Sequence, residues 1–83
     1  MKLLEEKRRF RRYRLHIGAQ VVIDDGLTRV PAQVLDASTF GARIRLAEDV
    51  PLPADFYMLF AHRIEQCRMI WRHQQTVGLE YED

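Results

Sequence analysis

The chain has 83 residues, of which 47% are hydrophobic and 30% are charged, and its formal net charge is +1. This length and composition predict one globular domain, and no apolar run approaches the roughly 20 residues that a membrane-spanning helix needs. The single cysteine, Cys67, excludes an internal disulfide and a zinc site built on several cysteines. Charges follow Leu3-Leu4 without an apolar core region, so we expect no signal peptide and predict a cytoplasmic protein.

Charge is distributed unevenly along the chain. Residues 1–14 contain seven Lys or Arg and two Glu, a net charge of +5, whereas residues 15–83 carry a net charge of −4. Six of the eight residues from Lys7 to Arg14 are cationic, and a run of like charge does not hold regular structure by itself. We therefore predict a flexible basic N-terminal arm over residues 1–14, built to meet an anion, and a folded body over residues 15–83.

Beginning at Leu15, apolar and polar residues alternate with a period of two, the pattern of a half-buried β-strand. Similar runs recur along the chain, separated by turn signals such as Asp24-Asp25-Gly26 and by a loop with two prolines. The predicted strands cover residues 15–23, 28–35, 42–46, 55–60, 64–73 and 77–81. Six short strands without a long helical segment predict an all-β fold, a small closed or nearly closed antiparallel barrel.

Two strands carry more specific expectations. Pro31 has no N–H to donate, which predicts an edge position or a bulge in the second strand. In the fifth strand, the alternation places Cys67, Met69 and Trp71 on one face.

The sequence contains no convincing catalytic or metal-binding pattern. His16, His62 and His73 are far apart and lack the short spacing of a metal-binding pair. Ser38 lies near Asp36, but no histidine base accompanies it, and a serine nucleophile needs one. There is no Gly-rich phosphate loop. We therefore expect a protein that is not an enzyme and that uses neither a metal nor a cofactor.

Within the arm, Arg8 and Arg12 are four residues apart, and Lys7, Arg9 and Arg11 lie around them. Arginine suits phosphate because its planar guanidinium donates two parallel hydrogen bonds and keeps its charge, and it also stacks on flat rings such as nucleobases. Such an arm can grip both the phosphates and the bases of a nucleotide. A solvated tail that binds anions without specificity is the alternative.

A second pattern, Asp36-x-Ser38-x-x-Gly41, lies between the second and third predicted strands. The two carboxylate oxygens of Asp36 can accept hydrogen bonds from the N1–H and amino groups of guanine. Ser38 offers a hydroxyl for a phosphate or for the backbone, and Gly41 permits close approach of its own amide to a ligand. The same residue types also make an ordinary turn between two strands.

Together, Arg8-x-x-x-Arg12 and Asp36-x-Ser38-x-x-Gly41 resemble the PilZ domain family of bacterial cyclic di-GMP receptors. The resemblance continues through Gly41-Ala42-Arg43-Ile44 and through Met69-Ile70-Trp71-Arg72 with Val77-Gly78-Leu79-Glu80-Tyr81. It implies a six-stranded antiparallel barrel of the PilZ-like, split-barrel type, here with little or no C-terminal helix.

The resemblance also implies a ligand and roles for these residues. Arg8 and Arg12 are expected to hold phosphates and to contact guanine, with Lys7, Arg9 and Arg11 in support. Asp36 and Ser38 are expected to contact guanine and the phosphodiester ring, while the missing side chain of Gly41 leaves room for the ligand.

The implied function is a cyclic di-GMP receptor that orders its arm on binding and signals through an effector protein yet to be identified. Two alternatives remain open from the residues. One is a PilZ-like interaction adaptor that does not bind nucleotide. The other is a small barrel that binds RNA or DNA through its basic arm, although a body with a net charge of −4 disfavours an extended nucleic-acid groove.

Overall fold

The computed structural model describes the backbone of residues 13–82 and the side chains of residues 17–82. Its six strands and one short 3-10 turn confirm the predicted number and type of elements. Their bounds are β1 Tyr13–Ile23, a 3-10 turn Asp24–Gly26, β2 Thr28–Ala37, β3 Gly41–Leu46, β4 Asp55–Phe60, β5 Arg63–His73 and β6 Thr76–Tyr81. Among the described residues, no helix is long and apolar enough to cross a membrane.

The six strands form a closed barrel in the order β1-β2-β3-β6-β5-β4, with every neighbouring pair antiparallel. The predicted all-β, six-stranded antiparallel barrel is therefore confirmed. The barrel is closed by a short pairing of β4 with β1, in which Gln20, Val21 and Val22 lie opposite Leu59, Met58 and Tyr57. β1 begins at Tyr13, two residues before its predicted start, so Tyr13 and Arg14 belong to the barrel. The remainder of the predicted arm, residues 1–12, lies outside the described residues.

The core fills the inside of the barrel with side chains from all six strands. The period-two pattern in the sequence places them there, because alternate residues of a strand point to the same face. The fully buried side chains are Val21, Val34, Ile44, Leu46, Met58, Cys67 and Val77. The predicted inward residues of β1, from Ile17 to Ile23, all belong to this core or pack against it.

β2 is not an edge strand and has no bulge at Pro31, but Pro31 lies just beyond the part of β2 that pairs with β3, so the predicted edge position is local. β2 lies between β1 and β3, and Pro31 is in regular register with Gln20 of β1. Its carbonyl accepts the N–H of Ala47, at 2.9 Å, just past the end of β3. Pro31 has no N–H to donate to the Ala47 carbonyl. The side-chain amide of Gln75 donates to that carbonyl instead, with 3.3 Å between Nε2 and the oxygen.

The predicted alternation of β5 is wrong after Met69. Met69 pairs with Leu79 of β6, but Trp71 pairs with the preceding residue, Gly78, so the strand contains a β-bulge around Ile70. Because a bulge shifts the pattern by one residue, Trp71 faces outward and is 45% exposed, while Cys67 remains buried.

We predict that Ile44→Ala destabilises the fold by about 2–5 kcal/mol, because the side chain is fully buried and its removal leaves a cavity. Ile64→Ala is the matched control, since Ile64 is a strand residue that is 70% exposed, and we expect a cost of about 1 kcal/mol or less. Urea denaturation would measure both free energies of unfolding. Equal losses in the two variants would contradict this assignment of the core.

We also predict that Cys67 resists thiol reagents at pH 8 in the folded protein. Burial, with smaller effects from Glu65 and Glu82, raises the pKa of Cys67 to about 12, so the reactive thiolate is scarce. Absorbance-monitored reaction with an aromatic disulfide reagent should be slow in buffer and fast in urea. Rapid labelling of the folded protein would show that the β5 side chain is accessible.

Candidate functional site

The turn between β2 and β3 is held by hydrogen bonds among its own residues. The Ser38 N–H donates to the Gly41 carbonyl at 2.8 Å, and the Ser38 hydroxyl accepts the N–H of Phe40 at 3.2 Å. Phe40 in turn accepts the N–H of Tyr81 through its carbonyl, at 2.8 Å, which ties the turn to the end of β6. Ser38 therefore has a structural role in shaping this turn, whatever else it contacts.

Gly41 is needed for the close approach of β3 to β6. A Cβ added at this position would overlap the carbonyl oxygen of Leu79 and would lie 2.8 Å from the Cα of Glu80. The space that a side chain would need is thus taken by the backbone of β6. This gives a packing reason for the glycine, in addition to the ligand space that the family resemblance implies.

A β-bulge in β2 decides where Asp36 points. Val34 pairs with Ile44 of β3, but Asp36 pairs with the next β3 residue, Arg43, so β2 advances by two residues while β3 advances by one. Val34 and Ile44 face the core, and Asp36 shares the outer face with Arg43. Regular alternation would have directed Asp36 inward with Val34.

The Asp36 carboxylate is nearly covered and is paired with a cation. Asp36 is 6% exposed, and its Oδ2 lies 2.8 Å from an Nη atom of Arg43. The side chain of Arg43 is 46% exposed. A short, charge-assisted contact of this kind offsets part of the cost of placing a carboxylate where there is little water.

Trp71 reaches the same outer face through the bulge in β5. It pairs with Gly78, and its indole ring occupies the space in which a Cβ of residue 78 would lie. Only glycine leaves room for the ring to lie against the β6 backbone. Gly78 in turn pairs with Arg43, so Trp71 and the ion pair belong to one cross-strand row.

We call this set the outer row: Asp36, Arg43, Gly78 and Trp71, one residue each from β2, β3, β6 and β5. All four line a cavity of about 200 Å³ that also includes Ser38, Phe40, Gly41 and Glu80. We call this cavity the cleft. It combines a carboxylate, a guanidinium, a hydroxyl and aromatic surface, which suits a ligand with a flat polar ring and an anionic group.

The structure brings together the three predicted site residues of the body, because Asp36, Ser38 and Gly41 all line the cleft. The predicted residues of the arm, Arg8 and Arg12 with Lys7, Arg9 and Arg11, lie outside the described residues. The backbone that leads to them is placed, however. Tyr13 pairs with Ala37, and Arg14 pairs with Asp36, so the arm enters the barrel beside the cleft.

Sequence reasoning missed Arg43, Trp71 and Phe40 as cleft residues. Arg43 and Trp71 depend on strand register, which a single sequence does not show. The sequence did offer one signal for Trp71: a tryptophan in the fifth predicted strand and a glycine in the sixth. An aromatic ring often lies over a glycine on the neighbouring strand. Within residues 13–82, no group of three or more His, Cys, Asp or Glu is placed to hold a metal ion.

We predict that Gly78→Ala displaces the Trp71 ring toward solvent, because the added methyl group and the indole cannot share the same space. The emission maximum of Trp71, the single tryptophan, should move to longer wavelength. Gly18→Ala is the matched control on β1, since a Cβ there meets nothing within 4 Å. An unchanged spectrum for Gly78→Ala, or equal shifts in both variants, would contradict the packing described.

Comparison with known proteins identifies the family of this chain. The family model named PilZ domain matches residues 6–83, which is nearly the whole chain. A search of curated proteins gives no significant match. The matched range includes every predicted site residue, both in the arm and in the cleft. The chain therefore belongs to the PilZ domain family, a family of domains that bind cyclic di-GMP.

Proposed function

We propose that this protein is a cyclic di-GMP receptor whose N-terminal arm closes over the cleft when the ligand binds. The observation that carries the proposal is the pairing of Tyr13 with Ala37 and of Arg14 with Asp36. This register puts the start of the described chain next to the Asp36-x-Ser38-x-x-Gly41 turn. Membership of the PilZ family supports the same ligand.

Covalent geometry limits how far the arginines can be from the cleft. Arg12 directly precedes Tyr13, so the two Cα atoms are about 3.8 Å apart. Arg8 is five residues from Tyr13, and even a fully extended chain keeps it within about 18 Å. Both motif arginines are therefore within reach of a ligand that contacts Ser38 and Asp36.

The charge of the cleft explains why the arm is needed. Among the described side chains, the ionisable residues that line the cleft are Asp36, Glu80 and Arg43, which together carry a net charge of −1. A ligand with two phosphates would be repelled by such a surface unless further cations joined it. The arm supplies them, since residues 1–14 carry a net charge of +5.

The remaining cleft groups suit the guanines. Asp36 offers carboxylate oxygens to the N1–H and amino groups of the base, which few other side chains can satisfy together. Trp71 and the arm arginines offer flat surfaces on which a base can stack. Closing the arm over the ligand then changes the exposed surface, and we propose that an effector protein in the bacterial cytoplasm recognises that change.

Calorimetric titration with cyclic di-GMP tests the proposal. We expect wild-type protein to bind, and Arg12→Ala and Asp36→Ala to lose about tenfold or more in affinity, because each removes a charged hydrogen-bonding group worth about 1.5–3 kcal/mol. Arg29→Ala is the control for net charge. Arg29 is exposed near the start of β2, far along the strand from Asp36, and it should bind as wild type does.

Amide chemical shifts provide the matching test of arm closure. On addition of cyclic di-GMP, we expect the signals of residues 7–14 and 36–41 to move together. No heat from the wild-type protein would contradict the receptor and favour the adaptor that does not bind nucleotide. Affinity for oligonucleotides that falls steeply with salt and survives Asp36→Ala would favour the nucleic-acid barrel instead.

A further inference from the structure

We propose that Arg43 is a positioning residue that sets the guanine selectivity of the cleft by holding the Asp36 carboxylate. The inference rests on the proposed function, because it concerns how that cleft distinguishes one base from another. Arg43 lies outside both sequence patterns, two residues after Gly41. It is singled out by the cross-strand register and by its contact with Asp36.

The bulge in β2 creates the contact. Asp36 pairs with Arg43 because β2 gains one residue relative to β3 between Val34 and Asp36. The two side chains then stand on the same face, and an Nη atom of Arg43 lies 2.8 Å from Oδ2 of Asp36. Without the extra residue, Leu35 would stand opposite Arg43 and the carboxylate would turn toward the core.

The two partners differ sharply in exposure. The side chain of Asp36 is 8% exposed and that of Arg43 is 46% exposed. A carboxylate with so little water depends on hydrogen-bond donors to offset its burial and to hold one orientation. Arg43 provides such a donor from the rigid wall of the barrel. A guanidinium has five N–H groups, so the same residue remains partly open to the cleft.

Orientation of Asp36 matters for the choice of base. The edge of guanine presents two donors side by side, the N1–H and the amino group, and a carboxylate with correctly placed oxygens accepts from both. Adenine presents one donor and one acceptor at the corresponding edge, so the same carboxylate meets an acceptor and repels it. A carboxylate that rotates freely loses this discrimination, since preorganisation is what makes the mismatch costly.

Arg45 supplies a matched control. It follows Arg43 by two residues on β3 and therefore faces the same outer side, it is exposed, and it carries the same charge. It pairs with Gln33 and Thr76 and makes no ion pair with any residue of the described chain. Removing Arg45 changes the net charge as removing Arg43 does, and leaves Asp36 with its partner.

The test is a double-mutant cycle measured by calorimetry with cyclic di-GMP. The proteins are wild type, Arg43→Ala, Asp36→Asn, the double variant, Arg43→Lys and Arg45→Ala. We expect Arg43→Ala to lose about tenfold in affinity, the usual effect of removing a charge-assisted contact. In the Asp36→Asn background, removing Arg43 should cost less than about twofold. Arg43→Lys should recover part of the loss, and Arg45→Ala should stay within about twofold of wild type.

Selectivity and folding are measured on the same proteins. Cyclic di-AMP shares the phosphodiester ring and serves as the comparison ligand. In Arg43→Ala, we expect the affinity for cyclic di-GMP to fall more than the affinity for cyclic di-AMP, so the ratio of the first to the second decreases. Thermal melting without ligand reports whether each variant folds. It should also show that Arg43→Ala melts lower than the double variant, because the nearly buried Asp36 carboxylate loses one of its charged donors in the first and is absent from the second.

Three results would overturn the inference. An equal loss in both backgrounds would mean that Arg43 contacts the ligand directly, and an equal loss for Arg45→Ala would mean that only net charge matters. Wild-type binding that Arg43→Ala leaves unchanged would remove any role for the residue. If wild-type protein does not bind cyclic di-GMP at all, the proposed function itself fails, and this inference fails with it.

Discussion

The bulge between Val34 and Asp36 determines which side of the barrel carries the Asp36 carboxylate. A strand in regular alternation would have directed this side chain toward Val21, Ile44 and the rest of the apolar core, where an ionised group is very costly. One extra residue in β2 turns it outward and places it opposite Arg43. The motif glycine, the turn at Ser38 and the pocket between β3 and β6 can only act together with Asp36 because of that single register shift. The bulge in β5 does the same for Trp71, so two local irregularities in the sheet build one cleft.

The rest of the barrel supplies rigidity around these irregularities. A domain of 83 residues buries a limited core, so much of its rigidity comes from the pairing of strands in the barrel wall. Here the closed order of strands holds β2, β3, β6 and β5 in a fixed sequence, and each contributes one residue to the outer row. Where backbone pairing is incomplete, as at Pro31, a side chain from Gln75 takes the place of the missing donor. The cleft is thus assembled from secondary-structure positions whose spacing is set by the sheet, which favours a precise arrangement of polar groups.

Most of the fold could be predicted from the sequence because period-two alternation is a direct consequence of strand geometry. The bounds of β4 were predicted correctly at Asp55–Phe60, and the others within two residues at either end. The bulges were not predicted. The adjacent apolar residues Val34-Leu35 and Met69-Ile70 do interrupt the alternation, but such a break does not by itself distinguish a bulge from a strand that is apolar on both faces. The cleft residues also differ in how far the sequence predicts them. Asp36, Ser38 and Gly41 are close in sequence and could be identified together, whereas Arg43 and Trp71 join them only through pairing between strands.

The pairing of Tyr13 with Ala37 has a consequence for how cations and cleft meet. Because the arm is joined covalently at the edge of the cleft, its arginines do not approach as independent molecules. A short flexible connection typically corresponds to an effective concentration in the millimolar range, and that concentration falls roughly as the −3/2 power of the length of the connection. In the proposed closure, the number of residues between each arginine and Tyr13 would therefore set its effective concentration at the cleft. In this proposal the first strand is the tether, and the few residues that separate Arg8 and Arg12 from Tyr13 would contribute to affinity alongside the contacts within the cleft.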